Sequence, residues 1–183
     1  KYAVEHMGLS QQPLRIWTGA GLRICTYEAD PDGHVHSVRV EMGRAIVSAV
    51  TVEGIDGYSV DLGNPHFVIF ADRAVSTEQA AAQGSSLAVH PAFPEGANIE
   101  FVTGDPERGF EVIVYERGCG LTQACGTGAT AVLAAAVHSG RANADEPTDV
   151  HLPGGTLRIE VTDDLTETWM TGPTIEVYRG QLS

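Results

Sequence analysis

Lysine is all but missing. The only one among the 183 residues is Lys1, at the extreme start. Pyridoxal phosphate enzymes need a lysine amine in the site to form the Schiff base, so that chemistry is not expected within this chain. Positive charge is scarce altogether: 11 Lys and Arg stand against 24 Asp and Glu, a formal net charge of −13. A phosphate backbone is bound through clustered Lys and Arg, and nucleic acid is therefore not an expected partner. Long apolar runs are missing too. None approaches the ~20 residues a membrane-spanning helix needs, and no secretory pattern opens the sequence. The expectation is a soluble, cytoplasmic protein with no membrane partner.

Cysteine occurs three times, at Cys25, Cys119 and Cys125. An odd count without a CxxC pair suggests neither a disulfide framework nor a thiolate zinc site, and fits free thiols in a reducing compartment. His34 and His36 are two residues apart on one strand, with no third ligand close in sequence, so no metal is expected.

What is present is an ordinary globular balance, 43% hydrophobic and 19% charged, long enough for one domain or for one domain and part of another. Strand signals dominate. Val38, Val40 and Met42 alternate with Arg39 and Glu41, and Phe110, Val112 and Val114 alternate with Glu111 and Ile113. Further strands are read at 14–17, 22–27, 46–52, 58–62, 67–70, 99–103, 157–161 and 174–178, with turns at Asp32-Gly33 and Asp56-Gly57. The opening KYAVEHMGL reads as the last turns of a helix that starts upstream, stopped at Gly8.

Two interior helices are expected. One opens with Ser76 and Gln79 at capping-box spacing and stops at Gly84. The other runs from Gly126 to about Ser139 and ends at Gly140; it is Ala-rich, uncharged and apolar on nearly every side. A helix without a polar face must be buried. The fold class that follows is α+β, a mostly antiparallel curved sheet wrapped around a central buried helix.

Chemistry concentrates at Tyr115–Thr130, YERGCGLTQACGTGAT, between a strand and that helix. Cys125 stands just before the first turn, where unpaired amides and the helix dipole favour a thiolate and lower its pKa. Gly126 and Gly128 clear side chains from the same turn, so a carboxylate could approach the N–H groups of Gly126, Thr127 and Gly128. Taken alone, a Cys-Gly pair reads first as a small apolar residue beside a turn glycine. The residues around it reverse that reading. ERGCGLTQACGTGATA, GNPHFVIF, HPAFPEGANIEFV and LPGGTLRIEV resemble four blocks of the diaminopimelate epimerase family, in the same order. The resemblance covers essentially the whole chain, beginning just after the point where such enzymes place a first Cys-Gly-Asn-Gly motif.

The resemblance implies two similar domains, each a curved sheet around a central helix, with the site between them. Residues 37–172 would form the second domain, and residues 1–36 with 173–183 a remnant of the first. It also implies a cofactor-independent inversion at an α-carbon by two cysteines, Cys125 being one. By matching positions, Gly126 and Thr127 would bind the substrate α-carboxylate. Asn64, Asn98, Glu116 and Arg117 would contact the distal amino-acid group, while His66 and Glu116 would set the protonation of the cysteines. Each has a plainer reading on its own: Asn64-Pro65 as a turn, His66 as a hydrogen-bonded histidine, Glu116-Arg117 as a solvated pair, Asn98 as a strand start. Cys25 and Cys119 are read as structural thiols.

The expected activity of the intact protein is conversion of LL- to meso-diaminopimelate in lysine and peptidoglycan synthesis, with a small amino acid as the partner molecule and a homodimer as a compatible assembly. A relative acting on proline or hydroxyproline is the alternative enzyme. A non-catalytic binding module is the alternative from another class, because this chain alone holds one cysteine of the two.

Overall fold

The computed structural model describes residues 1–19 and 21–181. They form two compact units, Lys1–Glu41 with the chain from Thr171 onward, and Met42–Met170. In the first unit a single helical turn, α1 (Tyr2–Glu5), precedes three antiparallel strands, β1 (Leu14–Thr18), β2 (Gly21–Ala29) and β3 (Val35–Gly43). The expected stop after α1 is present, with Gly8 at φ +69°. The Asp32-Gly33 turn is also present: Gly33 has φ +86°, and Asp30 Oδ1 accepts from the His34 N–H at 2.8 Å.

The second unit runs β4 (Ile46–Val52), β5 (Ile55–Asp61), β6 (Pro65–Phe70), α2 (Thr77–Leu87), β7 (Asn98–Asp105), β8 (Gly109–Glu116), β9 (Gly120–Thr122), α3 (Gly126–His138), β10 (Thr148–Leu152) and β11 (Gly155–Val161), with β12 (Thr168–Pro173) beginning in it. Its strand order is β12-β11-β10-β8-β7-β6-β5-β4, with β9 added beside β8. Pairing is parallel at β6–β7 and β8–β10 and antiparallel at β4–β5, β5–β6, β7–β8, β8–β9 and β10–β11. The sheet curves round α3, which touches β11 as well as β4, β5, β6 and β7. Every residue of α3 from Gly128 to Ala136 is buried, as its lack of a polar face requires.

Helix α2 covers the other side of the central strands, so β6 and β7 are enclosed on both faces. Alternation then sorts their residues. Phe67, Ile69, Ile99 and Phe101 pack with Leu87 and Phe93 beneath α2, while Val68 and Val102 pack with Ala129, Val132 and Leu133 of α3. His66, Asn98 and Glu100 share the parity of Val68 and Val102, and Glu116 shares that of Val112 and Val114. All four polar residues therefore fall on the α3 side. In register, His66 pairs with Asn98 and Ile99 with Tyr115, which brings His66, Asn98 and Glu116 to one end of the sheet.

Three expectations are corrected. The hairpin between β4 and β5 turns at Glu53-Gly54, both at positive φ (52° and 79°), not at Asp56-Gly57. Gly57 lies within β5, where a Cβ would stand 2.6 Å from the Phe67 ring. The capping box at Ser76 and Gln79 is present, but α2 continues through Gly84 to Leu87. Gly84 packs on Tyr115, whose Cβ would be 2.5 Å from an added Cβ. Finally, residues 174–178 are not a strand. The last ladder ends at Pro173, which has no N–H to continue it; Thr174 is held by its N–H and Oγ1 on the carbonyls of His36 and Val35, each at 3.0 Å, and Ile175, Val177 and Tyr178 are exposed.

Candidate active site

Cys125 is the N-cap of α3, with φ −141° and ψ 109°, and its side chain does the capping. The Gly128 N–H donates to Sγ at 3.3 Å. A sulfur thus takes the place usually held by an Asn, Asp, Ser or Thr oxygen, satisfying one of the amide groups left over at a helix start. Thr127 Oγ1 lies 3.5 Å from the same sulfur and accepts from Asn64 Nδ2 at 3.3 Å. Since the hydroxyl oxygen already accepts from Asn64, its proton is free to turn to the sulfur. Asn64, Thr127 and Cys125 are brought together in a short chain of hydrogen bonds.

Two glycines make this close approach possible. At Gly126 a Cβ would come within 2.7 Å of Met170 Sδ. At Gly128 it would stand 2.9 Å from Glu100 Oε1 and 3.2 Å from Cys125 Sγ. Glu100 is therefore a close neighbour of the cysteine across the bare first turn of α3. Fully buried, it meets the equally buried His66, with 2.6 Å between Oε1 and Nδ1. Glu100 was absent from the sequence-based site. Flanked by Ile99 and Phe101, it reads as the solvent side of a half-buried strand, and nothing local signals that α3 covers that side.

The sulfur's electrostatics also differ from expectation. Helix position alone pointed to a lowered thiol pKa, but burial pushes Cys125 up. The Thr127 and Gly128 hydrogen bonds pull the other way, and the Glu100 and Glu116 carboxylates push upward with burial. Desolvation of the charged form outweighs two hydrogen bonds. The expected carboxylate cradle narrows as well: the Gly128 N–H is engaged by the sulfur, leaving those of Gly126 and Thr127 in the first turn.

The remaining predicted residues form a second group. Asn98 Oδ1 accepts from the Arg117 N–H at 2.9 Å, tying the start of β7 to the end of β8. The Arg117 guanidinium donates to the Glu95 carbonyl, and its stem fills the space beside Gly96. The Glu116 carboxylate, beside Arg117 at the end of β8, pushes the Cys125 thiol up. Cys119 is exposed in the turn before β9, while Cys25 is buried in β2.

Among the described residues, one trio of His, Cys, Asp and Glu side chains has ligand atoms within 4.8 Å of one another: Glu5, His6 and Glu176. Glu176 is paired there with Arg179, and neither His34 nor His36 takes part. No helix among the described residues is long and apolar enough to cross a membrane.

A curved sheet around a buried helix is the fold this chain shares with solved amino-acid epimerases and racemases. A hydroxyproline epimerase from Agrobacterium vitis, solved with bound trans-4-hydroxy-L-proline, superposes with a TM-score of 0.74 over 94% of this chain and 60% of that one. Its sequence is 18% identical, so the likeness is one of fold, and this chain spans less than two thirds of that protein's length. Sequence narrows the class. The diaminopimelate epimerase family profile matches residues 58–177. The diaminopimelate epimerase of Desulfitobacterium hafniense is 36% identical over all of this chain and 69% of its own length, and that of Geobacillus kaustophilus 37% identical over 98% and 68%. This chain belongs to the diaminopimelate epimerase family, a family of isomerases.

Proposed function

We propose that the protein containing this chain inverts one α-carbon of diaminopimelate, converting the LL to the meso form without a cofactor, and that Cys125 is one of its two acid–base groups. In that reaction a thiolate takes the α-proton from one face of the carbon and a thiol returns a proton to the other. The α C–H bond breaks, its electron pair is held next to the carboxylate, and a new C–H bond forms with opposite handedness. The carrying observation is Cys125 itself, a sulfur fixed by the Gly128 N–H and the Thr127 hydroxyl at a helix start, in a chain of this family.

The site residues follow as part of the same proposal. The free N–H groups of Gly126 and Thr127 receive the α-carboxylate at the positive end of α3. Asn64, Asn98, Glu116 and Arg117 bind the distal amino-acid group, and Glu116 and His66 govern the proton balance of the sulfur. A raised thiol suits the half of the cycle in which Cys125 delivers a proton. The Thr127 and Gly128 hydrogen bonds suit the half in which it removes one. Residues 37–172 serve as the second domain of the family fold, and residues 1–36 with 173–183 as a remnant of the first. Free thiols and a small metabolite substrate support placing the protein in the cytoplasm.

The test is incorporation of solvent deuterium at the substrate α-carbon by the complete protein. Cys125→Ala is expected to reduce exchange by about 10²–10⁴-fold, the usual contribution of a positioned acid–base group. Exchange at the unaltered rate in that variant refutes the assignment.

A further inference from the structure

We propose that Glu100 is a positioning residue of this site, one that orients His66 through its Nδ1 and holds a negative charge beside the Cys125 sulfur. The inference rests on the reading of Cys125 as an acid–base group. Four observations carry it. Glu100 and His66 have no exposed surface, and buried ionisable side chains are rare unless they are paired. They meet at 2.6 Å, with one proton between them. The space that a Gly128 side chain would fill lies between Glu100 Oε1 and Cys125 Sγ, so only a bare turn separates carboxylate from thiol. The outer atoms of the pair, His66 Nε2 and Glu100 Oε2, are buried and make no hydrogen bond to the described protein.

The consequence is directional. With the proton on His66 Nδ1, the ring donates to the carboxylate and leaves Nε2 as its bare, accepting nitrogen. The carboxylate keeps its charge, and a negative charge beside the sulfur opposes a second one on it. The titratable groups acting on the sulfur are then Glu100 from β7, Glu116 from β8 and, through Glu100, His66 from β6. The two carboxylates favour the thiol, while the first turn of α3 and Thr127 favour the thiolate. A cysteine that must alternate between acid and base needs these influences nearly balanced, and Glu100 is a weight on the thiol side.

The experiment follows Cys125 alone. The complete protein and its Glu100→Gln variant are alkylated with iodoacetamide across a range of pH, and labelling of the Cys125 peptide is followed by mass spectrometry. Glutamine keeps the size and can still bond His66, but carries no charge. The alkylation midpoint is expected to fall by about one pH unit. An unmoved or raised midpoint overturns the proposal. In the unaltered protein, nitrogen NMR of the His66 ring supplies a measurement independent of the variant's folding. A proton on Nδ1 supports the proposal; a bare Nδ1 with the proton on Nε2 overturns it, because Glu100 would then be an uncharged donor. Neither readout depends on substrate. An unmoved midpoint removes Glu100 while leaving the role of Cys125 intact, whereas unaltered exchange by Cys125→Ala removes that role whatever the midpoint does.

Discussion

At the scale of single residues, one sulfur is subject to opposing influences. Burial and two carboxylates push Cys125 towards its protonated form, while a backbone N–H and a hydroxyl favour its ionised form. Thr127 can be tested separately from the rest. Thr127→Val preserves shape but removes the hydroxyl that bonds Sγ and receives Asn64, so the thiol is pushed further up. The midpoint of Cys125 alkylation should rise, the reverse of the shift expected for Glu100→Gln; a fall or no change would show that the hydroxyl does not stabilise the thiolate. Of this arrangement the cysteine and the glycines were legible in the sequence, while Asn64 and Thr127 were named in other roles, Asn64 only through the family resemblance. Glu100 was not, since an acidic residue between two apolar ones looks the same whether water or a helix faces it.

At the scale of elements, glycines read as punctuation proved to be packing positions. Gly84 lies inside α2, and its lack of a side chain lets the helix rest on Tyr115 of β8. Alanine would improve helix propensity by up to about 1 kcal/mol. It would also place a methyl group 2.5 Å from Tyr115 Cβ, and overpacking of this kind costs about 1–3 kcal/mol or more. Overpacking should win. Gly84→Ala is expected to lower the thermal midpoint by about 2–10 °C, and a higher midpoint in a melting experiment would contradict the packing assignment. Gly57 follows the same logic against Phe67, which explains why Asp56-Gly57 resembles a hairpin turn yet lies within a strand. By contrast, the Ser76–Gln79 capping box was read correctly because its signal is local: two side chains and two backbone amides within four residues.

At the scale of the whole molecule, thiols and scarce lysine shape the response to alkali. Burial raises both Cys25, in the first unit, and Cys125, in the second. A folded pKa above the unfolded one gives stability that is present below the unfolded value and lost as pH rises through the folded value. With a single lysine in the chain, lysine contributes little to titration in that range. The complete protein should therefore lose thermal stability from roughly pH 8.5 upward, and Cys25→Ala combined with Cys125→Ala should lose less between pH 7.5 and pH 10. Equal losses would show that the buried thiols do not drive the alkaline response. Sequence by itself determined the strand-rich class, the buried helix from Gly126, its cysteine and the family, because alternation, apolar runs and motif spacing are properties of neighbours along the chain. Only the tertiary structure decided that Glu100 and His66 pair out of water, that Gly57 and Gly84 are contacts, that residues 174–178 leave the ladder, and that the Cys125 thiol is raised. Each depends on what covers a residue from a distant part of the chain, and desolvation, which sets the sign at the sulfur, is determined by that cover.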